Sequence, residues 1–521
     1  MSVFLLILIL AACGWSGEEG GFGGSGKAGD SSSEAQNTAE HGGQSASEQE
    51  SKTETAADTE KTGDAEKEPA ADKDGIVHIK TPEQLAEFAD RVNNGEEKDL
   101  SAVLDADIDM SSVCGASVGS WTPIRGLKGD FDGNGHTISS LYCVRSESAA
   151  MFIEPKGNIK NLEIKDAVIE STENSAAGLA ISLSGTIENC RVSGSVKGYK
   201  RAGGIVTDTY RDSAVFGCVN EASVEGGYQD GNDYDGCAAG IAAWPREGGE
   251  IRECVNKGSI IGGGAYTGGI LGKCEKGNIL AEDCINEGNV QGPLWVSGIA
   301  GYAGSNTLIN RCVNKGKVSG GMCVCGIAGK SGFVIINCAN YGDLEASGSG
   351  MIDDVFRNAE AVGIAKHASE GIVNCYNRGN IVCENDAMAF GYSNSGMVLN
   401  LYNYSTITCT GTTGHLSDGL LWEGREGGLL NTWSREGCIV VPADFGADQR
   451  IATYCATTEG AFTDGTILEE LNRAVESINS KRLEDFEQGV SVRVEKFLGQ
   501  GDFELSKWVA GDDGLPRFEW E

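Results

Sequence analysis

Seven cysteines recur through the middle of the chain in the same local context, at intervals of 26 to 37 residues. They are Cys190, Cys218, Cys254, Cys284, Cys312, Cys338 and Cys375. Leu162 and Leu401 occupy the same position one interval before and one interval after the series. A unit this short has two unpaired strand edges and one apolar side, so it cannot fold alone. The repeat therefore constrains the chain to a stack of similar units.

Each unit contains segments with the composition of strands, separated by glycines. A small-residue segment such as Gly240–Ala242 precedes the cysteine, and a second such as Gly316–Gly320 follows it. We interpret one repeat as three short strands that form one coil. This pattern predicts an all-β fold, a parallel right-handed β-solenoid (β-helix) with short capping helices at both ends, spanning residues 76–440.

Two segments have helical signals. Thr81 is placed as an N-cap, Pro82 as the first helical residue, Gln84 as the second member of a capping box, and Gly95 as a stop. A second helix is predicted over Leu468–Ile478, within a C-terminal cap segment of residues 441–521. Helices at the two ends of a solenoid would cover its exposed strand edges.

The charge composition excludes one large class of function. The chain has 76 acidic and 41 basic residues and a formal net charge of −35. Binding to nucleic acid depends on lysine and arginine that displace counterions from phosphates. We therefore expect no nucleic-acid partner.

The N-terminus has the features of an export signal followed by a tether. Residues 3–12 are apolar but too few to cross a bilayer as a helix, which takes about 20 residues. The sequence Leu10-Ala11-Ala12-Cys13 resembles the lipobox of bacterial lipoproteins, which implies a signal peptide of residues 1–12 and a lipid on Cys13. Residues 13–75 are rich in Gly, Ser and Glu and are predicted to be a disordered acidic tether.

The folded part resembles the GLUG-type repeats of bacterial surface proteins. The resemblance rests on Gly-x-Ile-Ala-Gly followed by Ile-x-x-Cys-x-Asn-x-Gly-x-Val, and on the entry segments Trp121–Ile124 and Phe131–Ile138. It extends over about residues 76–410. It implies an extracytoplasmic, surface-exposed solenoid and no particular reaction.

Three repeat positions are expected to be structural. The cysteines should face the interior as free, small apolar side chains, because the strand spacing of about 4.8 Å suits a disulfide poorly. The asparagines two residues after the cysteine position should form a ladder of stacked amides: Asn220, Asn256, Asn286, Asn314, Asn340, Asn377 and Asn403. Glu253, Asp283 and Arg311, each just before a cysteine, favour a surface ion pair over a catalytic pair.

Two sets of residues are candidates for binding. Asp230, Asp233 and Asp235 lie in an insertion and supply hard oxygen ligands, so they are a calcium hypothesis; no other cofactor is expected. Trp244, Tyr266, Trp295 and Tyr302 fall near strand ends and would suit stacking on sugars, or simple packing. No catalytic residues are predicted, and the five histidines contain no His-Glu-x-x-His.

Two functions remain open from the sequence. The first is a non-catalytic surface module that adheres to, or binds, a glycan or a protein and reaches the membrane through its lipid anchor. The second is a polysaccharide lyase or glycoside hydrolase, which would need carboxylates and basic side chains that converge across neighbouring coils. The acidity of the chain argues against an acidic glycan unless a local basic strip exists.

Overall fold

The computed structural model describes residues 71–521, apart from 74, 96, 211, 229–235, 349, 353–354, 393–396, 419–428, 447–449, 453–454, 487, 500 and 502. Cys13, the signal peptide and nearly all of the tether lie outside the described residues. The predicted fold is confirmed: the chain forms a parallel β-solenoid of about 12 turns. Residues at the same repeat position pair in register from one coil to the next, for example Asn286 with Asn314.

Three parallel sheets form the walls of the solenoid, and we name them sheets A, B and C. The ten strands of sheet B are Ala176–Ala177, Arg201–Gly203, Cys237–Ala239, Tyr266–Gly268, Trp295–Ser297, Cys323–Cys325, Glu360–Val362, Asp386–Met388, His415–Ser417 and Arg450–Ala452. The ten strands of sheet C are Ile124–Arg125, Phe152–Ile153, Ala180–Ile181, Val206–Thr209, Ala242–Pro245, Leu271–Cys274, Ala300–Ala303, Ala328–Ser331, Ala365–Ala368 and Gly391–Tyr392.

Sheet A is the largest sheet and supplies up to three short segments to each coil. Its 32 strands are Ile76–Ile79, Ser101–Leu104, Ile108–Asp109, Phe131–Asp132, Thr137–Ser139, Tyr142–Arg145, Ile159–Lys160, Glu163–Ser171, Thr186–Glu188, Arg191–Gly198, Ala214–Phe216, Val219–Asn220, Ser223–Gly226, Glu247–Arg252, Val255–Asn256, Ile260–Gly262, Lys276–Glu282, Ile285–Asn286, Val290–Gly292, Thr307–Asn310, Val313–Asn314, Val318–Gly320, Val334–Ile336, Ala339–Asn340, Leu344–Ala346, Gly371–Asn377, Ile381–Cys383, Met397–Asn403, Ile407–Cys409, Leu429–Arg435, Ile439–Val440 and Ala456–Thr457. Two antiparallel hairpins stand apart from these sheets, at Gly350–Ile352 with Val355–Arg357 and at Trp508–Ala510 with Pro516–Phe518.

A typical coil has five strand segments, where we predicted three. Two bends account for the difference, and the first is the Gly-Ile dipeptide between a strand of sheet B and a strand of sheet C. Gly298 and Ile299, for instance, separate Trp295–Ser297 from Ala300–Ala303. A Cβ on Gly298 would lie 2.1 Å from the Asn314 side chain, so only glycine fits at this bend.

A second bend precedes the cysteine position of each coil and has a left-handed backbone. The residues there are Asn161, Asn189, Gly217, Glu253, Asp283, Arg311, Asn337, Asn374, Asn400 and Asn431, with φ between 48° and 61°. Asparagine and glycine tolerate this conformation best. Apart from Gly217, the residues at this bend point their side chains outward. Arg311 Nε and Nη2 each donate to a carboxylate oxygen of Asp283 at 2.6 Å. The predicted surface ion pair is therefore present.

The cysteine positions face the interior, as predicted. All seven repeat cysteines, with Leu162 and Leu401, are at most 1% exposed. The seven repeat cysteines form no disulfide bonds with one another, and each repeat thiol contacts backbone carbonyls; the Cys284 Sγ lies 3.3 Å from Glu282 O and 3.4 Å from Ile251 O. Burial raises the pKa of thiols such as Cys254 and Cys312 well above the usual value. The repeat thiols therefore pack as small side chains within the core.

The predicted asparagine ladder is confirmed. Each amide nitrogen from Asn220 to Asn377 donates to the Oδ1 of the next asparagine at 2.7–2.9 Å. The same nitrogens donate to the carbonyl two residues later, as Asn286 does to Gly288 O at 2.9 Å. All seven side chains are 0% exposed. The ladder joins the coils by continuous buried hydrogen bonds.

Helix α1, Pro82–Asn93, covers the first coils. Thr81 is its N-cap and accepts from Gln84 N, and the Gln84 side chain accepts from Lys80 N at 2.8 Å. Leu85, Phe88, Ala89 and Val92 are buried in the core that continues through the coils.

The C-terminal segment contains α2 (Glu459–Thr463), α3 (Thr466–Asn479) and α4 (Gln488–Leu498). Helix α3 matches the predicted position, but its apolar side packs on the outer face of sheet A, against residues such as Val373 and Leu399, and not across the end as we expected. The C-terminal segment binds the outward asparagines of the bend before the cysteine position. Trp508 Nε1 donates to Asn374 Oδ1 at 2.7 Å, and Asn337 Nδ2 donates to Glu504 O at 3.0 Å. The outer face of sheet A carries apolar side chains on successive strands, so it offers α3 more apolar contact area than the end of the solenoid does.

The asparagine ladder generates a stability prediction. In Asn286→Ala the neighbouring amides of Asn256 and Asn314 lose a partner inside the core, so we expect the free energy of unfolding to fall by about 2–3 kcal/mol. Asn289→Ala is the matched control, because that side chain is exposed and its Oδ1 accepts from Lys317 N at 3.2 Å at the surface, so its loss should change stability by less than about 1 kcal/mol. Urea denaturation followed by circular dichroism measures both. Equal losses for the two variants would contradict a structural role of the ladder.

Candidate functional site

The outward side chains of sheets B and C meet in a furrow that runs along the solenoid. Arg201 on sheet B lies 3.3 Å from Asp208 on sheet C, and Glu360 on sheet B lies 2.5 Å from Lys366 on sheet C. Outward residues of two adjacent walls can touch and become buried only where the walls form a concave corner. The two-residue bend between the sheets creates this corner in every coil.

The furrow is lined by two columns of residues at fixed positions in the repeat. The column on sheet B consists of Arg201, Cys237, Tyr266, Trp295, Cys323, Glu360, Asp386 and His415, each four residues before the bend isoleucine or its equivalent. The column on sheet C consists of Asp208, Trp244, Lys273, Tyr302, Lys330 and His367, each three residues after that isoleucine.

Glycines on sheet C make room for the large side chains of sheet B. A Cβ on Gly329 would lie 3.1 Å from Cε3 of Trp295, and one on Gly272 would lie 3.2 Å from Cβ of Cys237. These glycines are the final residue of the Gly-Ile-x-Gly motif. The motif therefore shapes the furrow as well as the bend.

All four aromatic residues predicted for binding line the furrow, but they differ in accessibility. Trp244 is only 4% exposed. The guanidinium groups of Arg201 and Arg246 each lie 4.2 Å from its ring centroid, and Lys273 Nζ lies 4.5 Å away. Its ring is already covered, so Trp244 offers no face for a sugar.

The cations around Trp244 are paired with carboxylates. The buried Asp208 carboxylate lies 2.7 Å from Arg246 and 3.3 Å from Arg201, and Lys273 contacts Glu275 at 2.6 Å. These ion pairs hold the three cations that cover the Trp244 ring. The indole Nε1 of Trp244 is buried without a hydrogen-bond partner in the described part of the chain.

Tyr266, Trp295 and Tyr302 are half-buried and form an open aromatic strip. The Tyr266 and Tyr302 rings meet edge to face with centroids 5.4 Å apart. Lys330 Nζ lies 5.4 Å from the Tyr302 ring, and Lys366 Nζ lies 5.0 Å from the Trp295 ring. Aromatic faces beside ammonium groups suit a ligand with both C–H surface and polar or charged groups.

Two carboxylates of the furrow occupy adjacent coils, as the enzyme hypothesis requires. Glu360 and Asp386 are register partners on sheet B. Glu360 is held by Lys366, and Asp386 accepts from His415 N at 2.8 Å. Burial of Lys366 acts to lower the pKa of its ammonium, but the neighbouring Cys323 thiol and Glu360 carboxylate outweigh that effect and the pKa is raised. Lys366 therefore stays protonated and is a poor general base.

The thiols of the furrow do not make a metal centre. Cys323 and Cys325 lie with their Sγ atoms 3.8 Å apart and are buried. Burial raises the pKa of Cys325 well above the usual value, which disfavours the thiolate that a metal needs. Across the described residues, no group of three or more His, Cys, Asp and Glu side chains could hold a metal ion. Asp230, Asp233 and Asp235 lie outside the described residues, so the calcium hypothesis stays a prediction.

The two long repeats lengthen the connection between a strand of sheet A and a strand of sheet B. One connection joins Ser223–Gly226 to Cys237–Ala239, with residues 229–235 outside the described residues, and the other joins Leu344–Ala346 to Glu360–Val362. Four coil steps separate Cys237 and Glu360, roughly 19 Å at the strand spacing of about 4.8 Å. Tyr266, Trp295 and Cys323 lie on the coils between them.

Sequence reasoning found the aromatic residues but missed the basic ones. Arg201, Arg246, Lys273, Lys330 and Lys366 belong to no motif on their own. Alignment of the repeats on the bend isoleucine would have placed Lys273 and Lys330 in the column of Trp244 and Tyr302. The position of each lysine within the repeat indicates its place in the furrow, whereas the residues next to it in the sequence do not.

Comparison with known proteins gives little beyond the fold. No protein-family model matches the chain. A segment is 38% identical over 130 residues to Halomucin of Haloquadratum walsbyi, which corresponds to 23% of this chain and 1% of Halomucin. A solved Bacteroides ovatus protein, provisionally named an immunoglobulin A1 protease, is 15% identical with a TM-score of 0.28, covering 87% of this chain and 94% of that one. A TM-score of 0.28 is too low to support a conclusion about this chain. Among the helices that the structure describes, none is long and apolar enough to cross a membrane.

The buried carboxylate of the furrow generates a second stability prediction. Asp208→Asn leaves Arg201 and Arg246 packed on Trp244 without their counter-charge, so we expect a loss of about 2–3 kcal/mol in the free energy of unfolding. Glu345→Gln removes one partner of the exposed pair with Lys317 and should cost less than about 1 kcal/mol. Urea unfolding compares the two. The cluster is unimportant for the fold if Asp208→Asn costs no more than Glu345→Gln.

Proposed function

We propose that this chain is a lipid-anchored, extracytoplasmic β-solenoid that binds a glycan without transforming it, along the furrow between sheets B and C. The single observation that carries the proposal is the open aromatic strip of Tyr266, Trp295 and Tyr302 across neighbouring coils. Stacking platforms spaced by one coil suit a polymer of repeating rings. A protein ligand is the second possibility for the same surface.

The carboxylates of Glu360 and Asp386 are held by an ion pair and a hydrogen bond, which supports binding over catalysis. A glycosidase needs one protonated carboxyl group and one free carboxylate facing each other across the scissile bond. Glu360 is buried and paired with Lys366, and Asp386 is bonded to His415. Neither group is arranged to exchange a proton with a bound sugar.

Surface display rests on the sequence features of the N-terminus and on the repeats. The lipobox-like segment ending at Cys13 provides the anchor, and the acidic tether provides distance from the membrane. The GLUG-type motifs support a place among bacterial surface proteins. A rigid solenoid at the end of a tether would present its furrow to the surroundings.

Binding is tested by applying the full chain to a glycan array and comparing two alanine variants. Trp295→Ala should abolish binding, because it removes the central stacking face. Trp295→Phe should retain part of it and shows that the coil is folded. Phe216→Ala removes a half-buried aromatic ring from sheet A and should have no effect. A chain that binds no glycan, or binds equally well without Trp295, contradicts the proposal.

The anchor is tested separately in cells. Cys13→Ser should abolish incorporation of labelled fatty acid and release the chain from the membrane fraction, because the acylated thiol is gone. Cys114→Ser, a change to a buried cysteine of the folded part, should leave both readouts unchanged. Unaltered fractionation of the Cys13→Ser chain would contradict lipid anchoring.

A further inference from the structure

The middle of the furrow, between Cys237 and Glu360, presents an exposed cation although the protein is strongly acidic. The chain carries −35 overall. Lys273 and Lys366 on the sheet C wall are nearly buried and contact Glu275 and Glu360. The furrow carboxylates Asp208, Glu360 and Asp386 lie toward its two ends, so among the described residues the exposed positive charge beside the aromatic strip is that of Lys330.

Lys330 is the cation with most freedom to meet a ligand. It is exposed, and no described carboxylate lies within 4.0 Å of its ammonium group. Its Nζ lies 5.4 Å from the ring centroid of Tyr302. A cation that is unneutralised and held beside an aromatic ring is placed to meet a ligand carrying both a sugar ring and an anionic group.

The aromatic strip faces Lys330 across the furrow. Tyr266 and Trp295 stand on sheet B, while Tyr302 and Lys330 stand on sheet C, with Lys330 one coil step of about 4.8 Å from Tyr302. A sugar ring resting on Trp295 could direct its substituents toward Lys330 on the opposite wall. Rings on neighbouring coils with a cation beside them suit a polymer with an acidic group on its sugar units.

We infer that the furrow selects an anionic polysaccharide, with carboxylate or sulfate groups facing Lys330 and its neighbours on sheet C and sugar rings on Tyr266, Trp295 and Tyr302. This inference rests on the proposed function and names its ligand class. The ligand axis runs along the solenoid, between Cys237 and Glu360. The acidity of the remaining surface repels the same polymer elsewhere and thereby confines it to the furrow.

Binding of four defined polymers to the immobilised full chain tests the inference. Polygalacturonate and its methyl ester share a backbone and differ in carboxylate charge, and dextran sulfate and dextran form the corresponding sulfate pair. We expect the charged member of at least one pair to bind more tightly than its neutral partner, and the affinity to fall as salt is raised. The pair that responds identifies the acidic group.

Two lysine variants locate the effect. Lys330→Gln should weaken binding of the charged polymer on the order of two- to fivefold, the range expected for one exposed charge pair. Lys165→Gln removes an exposed lysine from sheet A and should leave the affinity unchanged. Equal losses for the two variants would show nonspecific attraction and overturn the inference.

Failure of the inference is distinguishable from failure of the proposed function. Equal binding within both pairs, polygalacturonate with its methyl ester and dextran sulfate with dextran, together with loss in Trp295→Ala, overturns the anionic specificity and keeps the glycan-binding furrow. Binding of only a neutral glycan on the array does the same. Absence of binding to every polymer and every array glycan overturns both.

Discussion

Each coil of this chain is held to the next by hydrogen bonds between residues in the same position of the repeat. The backbone pairs in register over three sheets, and the buried amides from Asn220 to Asn403 extend the same alignment into the side chains. Because an amide both donates and accepts along the axis, a coil shifted by one residue would leave buried polar groups without partners. Register is therefore fixed by the core, and every outward position of the repeat becomes a straight column on the surface.

The furrow is a consequence of this alignment. Glycines at the bend and at the end of the motif bring sheets B and C close enough for their outward side chains to touch. Columns on the two walls can then change residue by residue without disturbing the core, which consists of Cys, Ile, Val and Ala. The solenoid is thus a constant scaffold on which Trp295, Tyr302 and Lys330 occupy positions free to vary.

The sequence was sufficient for the features that short local patterns specify and insufficient for those that depend on how the coils bend and pack. The interior cysteines, the amide ladder, the pair of Asp283 with Arg311 and helix α1 all follow from local spacing. The bend at Gly-Ile was missed because a small apolar segment in a β-rich chain is typical of a strand. The docking of α3 on sheet A was missed because it packs on outward apolar residues such as Val373 and Leu399. In the sequence these residues are typical of a strand whose apolar side chains face the interior. The basic wall was missed because single lysines carry no pattern until the coils are superimposed.

The account depends most on where a ligand lies, and a crystal structure of the full chain with an oligosaccharide of galacturonate measures this directly. We predict sugar rings stacked on Trp295 and Tyr302, along the furrow between Cys237 and Glu360, with a carboxylate facing Lys330. An oligosaccharide bound at any other face while the furrow stays unchanged would contradict the account.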